Sequence, residues 1–379
     1  MVSDTEGIPG YSVETDWNGR TVRAWVPAPL RERPLVLSAS TARAGERACA
    51  AIRLVDARMP GHWEPLARLL LRNEGMASSA IEGLREPMER VLMAGRTGSG
   101  GTAGWVADNL VVIDRALETA DGALTVDTLH SWHRQLMRHG MLPPGMVGAF
   151  RPVLGWVGGS TPMDATYVPP PPKEIPRLVE DLILFADGSP PDVDPVSHAA
   201  VIHAQFEAIH PYGDGNGRLG RVLISRTLHR RGLTRRSSVP ISMAIARDPG
   251  GYLSGLHLFE QGMTDPWVRW FADIAERAAS ATHRILDQTE VLMARWEEAA
   301  SGLRSDHSAR ALLPSLPSHP LLSAGDVAGL LGGSERSART ALAALAARGV
   351  LSPIDVPSPG PGRNRHWFIA RDLLELWQP

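Results

Sequence analysis

The sequence predicts a mainly α-helical protein with a small β-hairpin and a C-terminal winged helix-turn-helix. Three observations predict it. Long stretches rich in Ala, Leu, Arg and Glu carry apolar residues at helical spacing. A short apolar pair around Gly and Ser runs into a block of prolines at 169–172. Residues 321–379 read as two helices joined by a tight turn and followed by two strands.

The head, WNGRTVRAWVPAPLRERPLVLS, is polar, aromatic and broken by prolines, so an extended arm or short strands should precede the first helix. Helical periodicity then marks 63–71, 105–120, 175–186, 196–209 and 266–300. GWVGGSTPMDATYVPPPP, 155–172, fits a β-hairpin, because the prolines that end it forbid helix. GSPPDVDP, 188–195, is a loop. Ser and Pro accumulate over 301–320, the expected linker. Beyond it Ser323 starts a helix, with Asp326 placed to complete a Ser-x-x-Asp cap. Gly332 and Gly333 make the turn, Ser334 caps the next helix, and Ala338, Ala341, Leu342 and Leu345 mark its buried face. VLSPIDV and RHWFIA, either side of a Pro/Gly turn, form the wing.

Composition narrows the class. The 379 residues are 43% hydrophobic, enough for a sizeable core, and the formal net charge is -2. That balance provides no global field for nucleic acid or anionic lipid. Cys49 is the single cysteine, which excludes an internal disulfide and a cysteine-rich zinc site and leaves a small core residue. The start has neither a basic nor an apolar targeting segment, and no apolar run reaches membrane length, so a cytoplasmic protein without a membrane partner is expected.

HPYGDGNGRLGR, His210 to Arg221, concentrates the chemistry. Gly213, Gly215 and Gly217 let the backbone bend sharply and approach a ligand, and the helix that follows presents free amides to an anion. Asp214 supplies a hard oxygen suited to Mg2+ between phosphates. Asn216 is a neutral hydrogen-bond donor to a phosphate oxygen. Arg218 and Arg221 share a helix face and present guanidinium forks to a polyphosphate. His210, just before the loop, is suited to taking a hydroxyl proton near neutral pH. Together these predict nucleotidyl or phosphoryl transfer.

The stretch resembles the signature of the Fic family, His-Pro-Phe-x-Asp-Gly-Asn-Gly-Arg-x-x-Arg, with Tyr212 in place of the phenylalanine. The resemblance extends through HAQFEAIH, GAFRP and GGYLSGLHLFEQGMTDPWVRWF and covers roughly 15–300. It implies a Fic-type helical core in which His210 deprotonates a Ser, Thr or Tyr hydroxyl of a protein target. Asp214 would hold Mg2+, Gly215 and Gly217 would lend amides to the phosphates of ATP, and Asn216 would steady the α-phosphate. Arg218 and Arg221 would grip the β/γ end, and Tyr252 would line the base site. The hairpin at 156–168 resembles the flap that aligns a target by strand addition. Gly217 is kept and no lysine stands beside it, so AMP transfer is favoured over phosphate transfer. UMP or phosphocholine transfer stays open, because the loop reads phosphates.

SSAIEG, Ser78 to Gly83, resembles the family's inhibitory helix. The resemblance implies that Glu82 pairs with Arg221 in competition with the γ-phosphate, or aligns a water for AMP removal. Four segments follow: an N-terminal arm and inhibitory region, 1–105; a catalytic core, 106–300; the linker, 301–320; and the winged helix-turn-helix, 321–379. A homodimer is a further implication of the family.

Other patterns have plainer readings. His203, Glu207 and His210 imitate helical metal-ligand spacing but lack a second set of ligands, so His203 is read as a hydrogen-bonded core residue. His130, His133 and His139 are read as core or solvated, and the scattered tryptophans as core anchors. In the tail, Arg336, Arg339, Arg363 and Arg365 could face DNA together, and an alternative function is a nucleotide-sensing transcription regulator. The small positive balance there favours protein docking or dimerisation instead.

Overall fold

The proline-broken head folds as an antiparallel ribbon in the computed structural model, which describes residues 10–32, 35–59, 64–188, 190, 192–236, 238–356 and 365–376. Strand β1 (Gly10–Trp17) pairs with β2 (Arg20–Pro27) from Gly10↔Pro27 to Trp17↔Arg20. The turn is Asn18-Gly19, both at positive φ, the dipeptide whose twist suits a two-residue hairpin.

Helices follow in order: α1 (Ala39–Ala57), α2 (Glu64–Ile81), α3 (Met88–Thr97), α4 (Gly101–Glu118), α5 (Val126–Leu136), α6 (Ile175–Asp187), α7 (Pro195–Ile209), α8 (Asn216–Arg230), α9 (Ile241–Ala246), α10 (Pro249–Glu260) and α11 (Thr264–Ala299). Helix α7 is buried on nearly every side, from Val196 to Ile209, as is the first half of α8. A helix apolar all round belongs at the centre, and α1, α4, α6, α10 and α11 surround this pair. Trp267 of α11 is fully buried and its indole N–H donates to the Ala200 carbonyl of α7 at 2.9 Å. Helix α2 lies against α4, α8 and α9, which brings its C-terminal end to the start of α8.

The tail adds α12 (Ser308–Leu312), β3 (Leu321–Ser323), α13 (Ala324–Leu331), α14 (Glu335–Ala346), β4 (Ser352–Val356), β5 (Arg365–Ile369) and α15 (Arg371–Leu376). Its antiparallel sheet has the order β3-β5-β4. Ser323 and Asp326 form a reciprocal capping box, Gly332 ends α13 in the left-handed region, and Ser334 caps α14. Ala338, Ala341, Leu342 and Leu345 are buried.

Several expectations are corrected. The hairpin at 155–172 has only one bridge, Val157↔Tyr167. Gly158 and Gly159 both sit at positive φ, and Asp164 collects the amides of Ser160 and Thr161, so the chain closes a loop before strands can extend. The expected linker, 301–320, is ordered and packed: Ala309, Leu312 and Leu316 fall on one buried side. The boundary at 105/106 falls inside α4. Strand β3 and helix α15 were not foreseen, since both are too short to show periodicity. Trp63, the Pro/Gly turn at 357–364 and Arg363 lie outside the described residues. No helix among the described residues is long and apolar enough to cross a membrane.

Asp194 anchors the central helix. Its carboxylate accepts from the amides of Val196 and Ser197 at 2.9 and 3.0 Å and from the Ser197 hydroxyl at 2.5 Å. Asp194→Ala should lower unfolding free energy by about 1–2 kcal/mol, the usual cost of a lost N-cap, read from the urea midpoint at unchanged m.

Candidate active site

The site is built where α7 ends and α8 begins. His210 caps α7 in the left-handed conformation, at φ 48°, a strained setting for a residue with a Cβ. Arg151 holds it there. This buried guanidinium donates from Nε to the His210 carbonyl at 2.8 Å, from Nη1 to Val153 at 2.8 Å and from Nη2 to Pro170 at 2.6 Å. One side chain thus ties the histidine to both ends of the 155–168 loop.

Asn216 closes the turn that follows. Its Oδ1 accepts from the Tyr212 amide at 2.9 Å and its Nδ2 donates to the Tyr212 carbonyl at 2.8 Å. Its side chain thus clamps the loop, a role the sequence did not disclose. Gly215 is the N-cap of α8 at φ 79°, and no side chain caps the helix, so its first amides face outward without a side-chain acceptor.

His133 supports the same loop from α5. The Gly148 amide donates to His133 Nδ1 at 2.8 Å, so the proton sits on Nε2, which donates to the Asp214 carbonyl at 3.0 Å. Burial pushes His133 down to about 4 against the opposing hydrogen bond to the Asp214 carbonyl, so the ring stays neutral. Its ring stacks on Tyr212 at 4.0 Å between centroids, and His130 Nδ1 lies 3.0 Å from the Tyr212 hydroxyl. The tyrosine at the signature's aromatic position thus packs as the core residue expected. The bracing of this loop by His133 and Arg151 is what sequence reasoning missed. The i, i+3 spacing of His130 and His133 was visible, but not that both would face the loop.

The arginines behave as the spacing predicts. Arg218 and Arg221 are both buried. Arg221 donates from Nε to the Ser78 hydroxyl at 2.9 Å, and from Nη2 to the Ser78 carbonyl at 2.8 Å and to Glu82 Oε1 at 2.7 Å. Gly83, at φ 80°, turns the chain immediately after Glu82. Gly217 leaves room for this carboxylate: a Cβ there would displace the end of the Glu82 side chain. Glu82 therefore lies over the first turn of α8, in the place an anion would take. Burial raises the Glu82 pKa, but Arg221 beside it more than reverses this and holds it below the ordinary value. Arg218 Nε and Arg221 Nη1 are buried without a partner. Two orphan guanidinium donors at an uncapped helix start fit a phosphate chain.

Asp214 points outward, its side chain 57% exposed, with one oxygen taken by the Gly215 amide at 2.6 Å. One accessible carboxylate fits a cation shared with substrate phosphates, which is how Mg2+ is usually held. Among the described residues no cluster of three or more His, Cys, Asp or Glu forms a metal cage. His203 is a core residue whose Nε2 lies 2.9 Å from the Tyr252 hydroxyl, and buried Glu207 is pushed up to about 8 by desolvation. Tyr252, expected at the base site, is corrected to a core position. It is 5% exposed and lies against His203 and Trp270, because α10 packs onto α7 and α11.

Residues 123–228 match the model of the Fic/DOC family. The chain is 28% identical over 153 residues to protein adenylyltransferase fic-1 of Caenorhabditis elegans, covering 40% of this chain and 27% of that protein. It is likewise 28% identical over 185 residues to protein adenylyltransferase Fic of Drosophila melanogaster, covering 48% of this chain and 35% of the relative. The matches therefore span about a third of the length of these curated relatives. A Fic family protein from Desulfovibrio desulfuricans G20 shares the fold over 89% of this chain and 97% of its own, with a TM-score of 0.53 and 21% identity. Fic-1 of C. elegans, residues 134–508, does so over 65% of this chain and 74% of its own, with a TM-score of 0.50 and 17% identity.

His210 is depressed to about 4, chiefly by desolvation, with Arg151 adding to the effect. A hydrogen bond to the Glu207 carbonyl and the charge of Glu82 oppose it. NMR titration should place the imidazole pKa near 4, well under the ordinary 6.5, and lower again in Glu82→Gly. A value near 6.5 would contradict the desolvated setting of the ring. As pH falls through 6.5, the unfolded chain takes a proton that the folded chain refuses, so this residue costs stability on acidification.

Proposed function

Given the Fic domain at 123–228, we propose that the protein is an adenylyltransferase that transfers AMP from ATP to a Ser, Thr or Tyr hydroxyl of a protein target and is held in check by its own Glu82. The observation that carries this reading is the Glu82 carboxylate lying over the start of α8 and paired with Arg221 at 2.7 Å. A carboxylate in that place substitutes for a phosphate.

His210 is neutral near pH 7, so one ring nitrogen carries the proton and the other keeps its lone pair. That nitrogen takes the hydroxyl proton. The freed oxygen forms a bond to the α-phosphorus as the bond to pyrophosphate breaks. The Gly217 amide, at the uncapped start of α8, and the forks of Arg218 and Arg221 hold the phosphates, while the Gly215 amide orients Asp214. Asn216, His133 and Arg151 keep the loop in shape. Mg2+ at Asp214 would neutralise charge on the leaving phosphates. The 155–168 loop, with Trp156 and Val157 each 38% exposed and Met163 56% exposed, offers an apolar edge for the target segment.

The tail at 321–379 is proposed as a winged helix-turn-helix that docks a target or a second copy of the chain. Arg336 and Arg339 are exposed on α14, but Arg339 is already paired with Glu335 on the same helix. That leaves little charge for DNA.

Protein incubated with α-32P-ATP or γ-32P-ATP should take label from the α-position alone. Glu82→Gly should raise incorporation at least tenfold over the wild type. Adding His210→Ala to that variant should lower it by about 10²–10⁴, the range for loss of a general base. Label from the γ-position would establish phosphoryl transfer instead. If incorporation is low and Glu82→Gly slows the release of AMP from labelled protein, Glu82 serves AMP removal.

A further inference from the structure

A cleft of about 310 Å3 lies between α9 and α11, and α9 also packs against the inhibitory helix α2. Its floor is aliphatic, made by Pro240, Met243, Ile274, Ala278 and Ile285. Arg247, Arg277 and Arg284 complete the lining. Arg277 and Arg284 stand two turns apart on α11 and so on one face. Among the described residues none of the three guanidiniums makes an ion pair or a side-chain hydrogen bond, though Arg277 lies near enough to Asp248 to lower its pKa.

The nearby acids are engaged elsewhere. Asp248, which also lines the cleft, accepts from the Gly251 amide and from the Trp270 indole, both at 3.0 Å. Asp273 pairs with Arg47 at 3.5 Å and Arg269 at 3.3 Å, and Glu276 pairs with Arg47 at 3.3 Å. Cationic charge is therefore in excess around an apolar floor. No aromatic ring lines the cleft to stack on a base, and the Thr282 hydroxyl is spent on the Ala278 carbonyl at 2.8 Å. What fits is a small molecule with an anionic head and an aliphatic body.

Helix α9 connects this cleft to the brake. Ser242 donates from its amide to Glu74 Oε2 of α2 at 2.9 Å, and its hydroxyl bonds the other carboxylate oxygen. The next residues, Met243 and Ala244, line the cleft. Helix α2 leads from Glu74 through Ser78 to Glu82.

We propose that this cleft binds a small aliphatic carboxylate or phosphate monoester, and that occupancy is transmitted through α9 and Glu74 to the seating of Glu82. The second half rests on the adenylyltransferase reading; the first does not. Calorimetry on the full chain with decanoate, decyl phosphate and decanol, each below its micellar concentration, tests the site. The anions should bind the wild type and bind Arg277→Ala/Arg284→Ala at least tenfold more weakly, with the melting temperature of the variant unchanged. The tighter anion identifies the head group. Equal binding by the variant, or by decanol, would overturn the site. The bound anion should also change automodification several-fold in the wild type and not in Glu82→Gly. Binding without that change would overturn the coupling alone, and an inactive Glu82→Gly would count against the adenylyltransferase reading while leaving the binding result intact.

Discussion

Arg221 is a fully buried guanidinium, and a charge in that position needs a counter-charge. Much of the surrounding architecture supplies one. Helix α2 delivers Ser78 and Glu82, α8 supplies the guanidinium itself, and Gly217 leaves the space the carboxylate fills. Stripping a partner from a buried pair costs about 3–5 kcal/mol. The figure is an upper one here, because the Glu82 side chain is 40% exposed and water screens it. A phosphate chain is the replacement whose charge and oxygen geometry suit the same fork.

The loop between α7 and α8 is the second constraint. A histidine at positive φ is unfavourable unless neighbouring structure fixes it. Arg151 takes the carbonyl, Asn216 clamps the turn from within, and His133 pins Asp214 from outside. These contacts consume polar groups that would otherwise be free for a ligand. The amides at the start of α8, Asp214 and the unpaired nitrogens of the two arginines remain available. The loop is thus rigid where it must be shaped and open where it must bind.

This division also explains what the sequence could disclose. The spacing of Arg218 and Arg221 projects both to one helix face whatever surrounds them, so their pairing was legible. The Ser323–Asp326 box and the buried face of α14 were legible for the same reason: local geometry decides them. The Asn216 clamp was not legible, and Tyr252 was misread, because each side chain has two chemically reasonable partners and only tertiary packing selects one. Arg151 was hidden because its contacts lie far along the chain, at His210 and Pro170. The linker was misread because Ser and Pro dominate its composition, while Ala309, Leu312 and Leu316 align only once the tail packs against the core.

The Glu82 carboxylate satisfies the buried arginines only in part. Glu82 brings one negative charge, yet Arg218 Nε and Arg221 Nη1 remain buried without acceptors. An unmade hydrogen bond on a buried charged donor is costly. A polyphosphate has oxygens enough to meet both donors, and one carboxylate does not. How far Glu82 reaches Arg221 depends on how α2 is seated. Contacts far from the phosphates fix that seating: Glu74 against Ser242 of α9, and Asn109 of α4 reaching the Gly75 carbonyl at 3.0 Å and the Ser79 hydroxyl at 3.2 Å.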